Sequence, residues 1–200
     1  MSQVPPDEVG AIERGVAESA AAALEYLAGL LRSKADLDRV LDGYLETRRL
    51  LSRTFKVLVE RRLGSPTSIM KSARDRVAAV MRSQYGTVVP EDLLRVRPYG
   101  ELHTLLLAYM HSFAGKAVPG TKLRIISGDQ VHTERRLREL RDLGFHIQAS
   151  VVAGEHQYVL VTTEQDLDDA ARVQLRHNIK GSRALSASQK KQLLEILRDP

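Results

Sequence analysis

The stretch Ser127-Gly-Asp-Gln-Val131-His-Thr-Glu-Arg-Arg-Leu-Arg-Glu-Leu-Arg-Asp-Leu143-Gly144 is followed by two runs of alternating apolar residues, Phe145–Val151 and His156–Thr163. Ala153-Gly154 separates the two runs. The first stretch has helical spacing over 131–143, with Leu137 and Leu140 on one side and Gly144 as a stop. The paired runs read as a β-hairpin. A turn, a short basic helix, a glycine stop and a hairpin form the reading half of a winged helix. That arrangement leads to an expectation of binding to double-stranded DNA.

Before this segment the chain repeats itself. Residues 76–96 and 105–125 align at an offset of 29. Identical pairs are Ala79/Ala108, Met81/Met110, Ser83/Ser112, Gly86/Gly115, Val89/Val118, Pro90/Pro119, Leu94/Leu123 and Arg95/Arg124. Each copy reads as a helix, a glycine, a short extended valine, and a proline opening a second helix. The second copy runs on into the reading half. The first stops at Arg97-Pro98-Tyr99-Gly100, so it is expected to be a partial module.

The rest of the chain reads as helical. Residues 7–32 keep Val9, Ile12, Val16, Ala20, Ala23, Leu27 and Leu30 on one face. Residues 36–63 keep Leu37, Leu41, Tyr44, Leu51, Phe55 and Leu58 on one face, with Asp36 as cap and Gly64 as stop. The two should pack antiparallel as an arm that serves either as a brace or as a surface for dimerisation or partner docking. Gly64-Ser65-Pro66 marks a boundary, and a third helix runs to about Tyr85. Helices over Gln165–Lys180 and Ala187–Arg198 close the chain, the latter capped by Ser186 or a nearby serine.

The expected fold is therefore mainly α with a small β-hairpin. It divides into a helical hairpin arm at 1–64, a partial winged-helix-like repeat at 65–101, a winged helix at 102–163 and basic helices at 164–200.

These residues resemble the N-terminal winged-helix modules of bacterial HNH restriction endonucleases. The resemblance rests on Gly115-Lys-Ala-Val-Pro, Leu123-Arg-Ile-Ile-Ser-Gly128, Glu134-Arg-Arg-Leu-Arg-Glu-Leu-Arg141, Gly144-Phe-His-Ile147 and Tyr158-Val-Leu160. Arg172 and Leu175-Arg-His-Asn-Ile179 look like the linker helix that follows the wing in those proteins. The likeness covers about residues 72–180. It implies DNA recognition in a restriction or phage-defence setting. No HNH module and no CxxC pair is present, so it does not imply cleavage.

Composition narrows the choices. The chain has no Cys, which removes disulfides and thiolate metal sites. No apolar run reaches the ~20 residues that span a bilayer, and the acidic first residues do not form a signal peptide. A cytoplasmic location and no membrane partner are expected. The net charge is +5, and its distribution is uneven. Residues 1–64 hold 10 basic and 10 acidic side chains, 65–127 hold 9 and 4, 128–163 hold 4 and 5, and 164–200 hold 7 and 6.

Candidate site residues follow from these patterns. Gln130, His132, Thr133, Arg135 and Arg136 are placed on the exposed first turns of helix 131–143, where Arg suits guanine and Gln suits adenine. The alternative is a solvated face of ion pairs, since Glu134–Arg138, Arg135–Glu139 and Arg138–Asp142 are four apart. Arg141, Arg172, Arg176, Lys180 and Arg183 are assigned to phosphates. Arg172, Arg176 and Lys180 recur every four residues, and no acid occurs between Ala170 and Leu194. Such cations could equally complement a helix C-terminus or cover apolar surface. Lys71, Arg74, Arg76 and Arg82 form a second basic face.

The wing, Phe145 to Thr163, has no Lys or Arg. It is as well suited to a protein contact as to DNA. With Ala153-Gly154 as a two-residue loop, Ile147, Ala149, Val151, Tyr158 and Leu160 share its inner face.

No HExxH, His-x3-His pair, G-x-S-x-G or phosphate-binding glycine loop occurs, so no catalytic residue, metal or cofactor is assigned. His103 and His111 read as packed or surface residues. The chain reads as a sequence-recognising double-stranded DNA-binding protein rather than an enzyme, acting as a regulator or as the DNA-recognition component of a restriction or phage-defence system. Its alternatives are an assembly subunit whose winged helices bind protein, and a nuclease with an unrecognised or split site.

Overall fold

A computed structural model describes residues 6–63, 66–128 and 132–197, with side chains from Arg14 onward. The chain is mostly helical with one small antiparallel sheet. In order the elements are α1 (Pro6–Arg32), α2 (Leu37–Leu63), α3 (Pro66–Tyr85), a single 3-10 turn (Glu91–Leu93), α4 (Glu101–Ser112), β1 (Ala117–Pro119), α5 (Gly120–Ile126), α6 (Thr133–Arg141), β2 (Phe145–Val152), β3 (Glu155–Gln165), α7 (Leu167–Gly181) and α8 (Ala187–Ile196). They form two compact units, Met1–Gly64 with Thr121–Val131, and Ser65–Gly120 with His132–Pro200.

In the first unit α1 and α2 pack antiparallel. Thr47 Oγ1 lies 3.0 Å from the Ala23 carbonyl, and Thr54 Oγ1 lies 2.9 Å from that of Val16. The face of α2 turned to α1 is not the apolar stripe expected from the sequence. Gly43, Thr47 and Thr54 are buried, while Leu37, Leu41, Tyr44, Phe55 and Leu58 are exposed. The physical reason is close approach. A Cβ on Gly43 would meet Leu30 Cδ1 at 2.8 Å, so the tip of Leu30 would have to shift to admit one. The threonine hydroxyls add hydrogen bonds to carbonyls across the seam. On α1 the expected face is the packed one: Ala20 and Leu30 are buried, and Val16, Ala23 and Leu27 are half-buried. Val9 and Ile12 belong to that expectation, but their side chains lie outside the described residues.

In the second unit α3 packs on α4 and α7, α6 packs on α4 and β2, and α8 packs on α7. Met81, Leu105, Leu106, Leu107, Met110, Leu137, Leu140, Leu143, Leu160 and Leu175 are essentially inaccessible. The sheet has strand order β1-β3-β2. Its hairpin turns at Ala153 (φ 50) and Gly154 (φ 81), with Val152 opposite Glu155. Two positive φ values in a two-residue loop match the twist of the strands. The expected inner face holds at the base, where Ile147, Tyr158 and Leu160 are buried. It fails at the tip, where Ala149 and Val151 are exposed because the hairpin outruns the helices beneath it.

The two repeats share burial but not structure. Met81/Met110, Val89/Val118 and Leu94/Leu123 are all buried. The second copy has a strand and a helix where the first has a turn and one 3-10 turn. In the first copy the N–H groups of Val88 and Val89 both donate to the Tyr85 carbonyl, so they are spent locally. Pro98 disfavours the helical region at Arg97, which limits how far a second helix could run. Asn178 Nδ2 also claims the Leu93 and Arg95 carbonyls, at 2.7 Å each.

Candidate nucleic-acid interface

The short basic helix α6 spans Thr133–Arg141, shorter at both ends than the sequence suggests. Leu137 and Leu140 enter the core and set its rotation. Gly144 then stops the chain at φ 88. A Cβ there would lie 2.4 Å from the Asp166 carbonyl oxygen, so no side chain is tolerated.

Against α4 the helix is fixed by charge. Glu139, on its inner flank, accepts from His103 Nε2 at 2.5 Å, Arg136 Nη1 at 3.0 Å and Arg135 Nε at 3.1 Å. Burial alone would raise the Glu139 carboxyl, but these three donors outweigh it and hold it at about 2. Burial lowers His103 below its ordinary value, against the pull of Glu139. His103 is therefore neutral near pH 7, and its Nε2–H donates to an ionised Glu139. Arg97 pairs with Asp142 at 3.0 Å, and Tyr99 Oη donates to the Glu139 carbonyl at 3.2 Å. Buried Gln174 on α7 donates to Tyr99 Oη and to the Asp142 carbonyl, each at 3.0 Å. The side chains of α4, α6, α7 and the 97–99 segment thus share one polar network.

This network redistributes the sequence-predicted residues. Gln130 lies outside the described residues. His132 and Arg135 are exposed. Thr133 is buried, with 7% of its surface accessible, which corrects its placement on the exposed face. It heads α6 on the same side as Leu137 and Leu140, a helical spacing that turns it inward. Arg136 has no acid four residues away in the sequence. It finds one at three, and its side chain is one-third exposed. Arg138, expected to pair with Glu134 or Asp142, is exposed and has no ion pair among the described residues, because Asp142 turns to Arg97. Arg141, assigned to phosphate, donates from Nε to the Ile147 carbonyl at 2.6 Å and so ties α6 to β2.

Helix α7 carries the spaced cations. Asp166 caps it, accepting from the Asp169 N–H at 2.9 Å. Asn178 anchors its far end to the 93–95 segment. Arg176 and Lys180 are exposed, whereas Arg172 is half-buried beside Asp169 at 3.8 Å. Beyond the helix an open cleft of about 390 Å³ brings Arg95, His177 and Arg183 together, with Asp92 at its edge. The second basic face is largely engaged. Lys71 pairs with Asp75 at 2.6 Å, Arg82 with Glu91 at 3.2 Å, and Arg74 points a nitrogen at the Val96 carbonyl. Arg76 is exposed at a separate cleft beside α3.

Sequence reasoning missed His103, Arg97, Tyr99 and Gln174. Their partners lie 32 to 75 residues away in the chain, so no local spacing signals them. Among the described residues no helix is long and apolar enough to cross a membrane.

A family model described as the KpnI N-terminal domain matches residues 103–167. That span is about a third of the chain, and it runs from the first turn of α4 to the start of α7. No curated protein and no solved structure matches. The one match links the α4–β3 segment of this chain to a domain of a restriction enzyme.

Proposed function

We propose that this chain recognises double-stranded DNA as part of a restriction or phage-defence system, with α6 and the β2–β3 hairpin of the second unit as the reading half of a winged helix. The reading is supported by element order: helix, strand, helix, helix, strand, strand, with the sheet ordered β1-β3-β2. In such a module α6 enters the major groove. Its outward cations are Arg135 and Arg138, and Arg136 helps to aim it rather than reading bases. Arg176, Lys180 and Arg183 contact phosphates, which carry most of the affinity.

The observation that carries this reading is the acid-free run from Ala170 to Leu194, which exposes Arg176, Lys180 and Arg183 on and just beyond α7. The test is a mobility shift on random-sequence duplex at two salt concentrations, with and without Mg²⁺. Binding that weakens with salt, without cutting, is the expected result.

A second reading, an assembly subunit that binds protein through the wing, is favoured by one feature. The wing tip exposes Val151 and Val152, at 62% and 56%, and bears no cation. Absence of any shift at low salt would select that reading, and Mg²⁺-dependent cleavage would select a nuclease.

A further inference from the structure

We infer that the α1–α2 hairpin is half of a four-helix bundle, completed by the hairpin of a second copy of this chain.

Each helix carries two adjacent stripes at alternating steps of three and four. On α1 the inner stripe is Val16, Ala20, Ala23, Leu27 and Leu30, and it is packed. One residue further on lies Ala17, Ala21, Leu24, Ala28 and Leu31, with Leu24 and Leu31 exposed. On α2 the inner stripe is Val40, Gly43, Thr47, Leu50, Thr54 and Val57. One residue further on lies Leu41, Tyr44, Arg48, Leu51, Phe55 and Leu58. Leu41, Tyr44, Phe55 and Leu58 are 44% to 49% exposed.

Alternation of three and four keeps a stripe on one side of a helix, where it can meet a packing partner. Two such stripes on each helix fit one that contacts two helical neighbours, as in a four-helix bundle. Within the hairpin each helix has only one. Because the helices run antiparallel, a step of one residue in each turns both outer stripes to the same side of the hairpin. The unfilled side is therefore a mainly apolar face, two helices wide, interrupted on α2 by Arg48.

Charge selects the occupant. Helix α1 contains five acids and two bases, and α2 contains four acids and seven bases. The helices thus carry 2 − 5 = −3 and 7 − 4 = +3. A second hairpin related by a two-fold axis parallel to the helices sets α1 of one copy against α2 of the other. The net-negative helix of each copy then lies beside the net-positive helix of the other, and every neighbour is antiparallel. The surface is its own complement, as an isologous interface requires.

The test is sedimentation equilibrium of the 200-residue chain. Twice the chain mass of 22.3 kDa is expected. Leu41→Glu with Phe55→Glu should give the single mass with unchanged helical circular dichroism. Tyr26→Glu, on the opposite groove, should leave the dimer intact. Since the chain has no Cys, Leu24→Cys and Tyr44→Cys variants can also be mixed with a bismaleimide. A cross-linked dimer should form in the mixture and not with either variant alone, which keeps the proposal testable if the double Glu variant unfolds. A single mass at every concentration overturns the proposal and leaves the face to a different protein. A dimer insensitive to the double substitution, or a mixture that does not cross-link, overturns it too.

Discussion

Glu139 shows how much one side chain can settle. It sits on the flank of α6 with 16% of its side chain exposed and accepts from His103, Arg135 and Arg136. Removing one partner of a buried charged pair strands the others, at a cost of roughly 3 kcal/mol. Glu139→Gln should therefore lower the melting temperature of the second unit by several degrees at pH 7. The pH dependence has a definite sign. The folded carboxyl, at about 2, lies below its ordinary 4.5, so its contribution is complete above 4.5 and is lost as pH falls towards 2. The gap between wild type and Glu139→Gln should narrow in thermal melts as pH falls from 4.5 towards 2, and a gap that persists through that window would contradict the assignment. Gly144 makes a purely steric prediction. Gly144→Ala places a Cβ against the Asp166 carbonyl at a left-handed φ, and should cost about 2 kcal/mol or more in chemical denaturation. Of these two residues, Gly144 was legible as a helix stop. Glu139 was legible only as half of the Arg135 pair, since His103 lies 36 residues earlier.

At the level of elements, the arginines of α6 divide between the polar network and solvent. Arg136 spans Glu139 and a buried setting, whereas Arg138 stands clear. Arg136→Ala should cost about 1 kcal/mol of stability, while Arg138→Ala should stay within about 0.5 kcal/mol and instead weaken DNA binding. Melting curves and anisotropy titrations on both variants separate the two roles; equal behaviour would refute the division. The helices, the hairpin loop and the strand-forming half of the repeat could be read from periodicity and turn residues. Two features could not. The apolar stripe of α2 is real, but the choice between it and the Gly43–Thr47–Thr54 stripe depends on how closely α1 approaches. The first repeat copy looks like the second in sequence, yet its strand is replaced by a local turn because its N–H groups are spent on Tyr85 and no third strand is offered to it. Placement of Arg141 on Ile147, and of Asp142 on Arg97, likewise depends on tertiary geometry rather than spacing.

For the whole molecule, two surfaces stand out among the described residues besides the wing tip. Leu24, Leu31, Leu37, Leu41, Tyr44, Phe55 and Leu58 on the arm are all more than two-fifths exposed. Each such side chain contributes roughly 1.5–3 kcal/mol when fully buried, so a complementary face gains a large driving force. The other surface is cationic and follows α7 and the cleft beyond it. The first surface belongs to the arm and the second to the second unit, a division that the net charge of +5 alone does not reveal.

The decisive measurement is the salt dependence of binding to a random-sequence duplex, read by fluorescence anisotropy for wild type and Arg176→Ala. Each phosphate neutralised contributes about −0.9 to the slope of log Kobs against log salt. Contacts from Arg176, Lys180 and Arg183 predict a wild-type slope of about −3 or steeper, made shallower by about one in Arg176→Ala. A flat slope, or a slope that Arg176→Ala leaves unchanged, would contradict DNA recognition through this face.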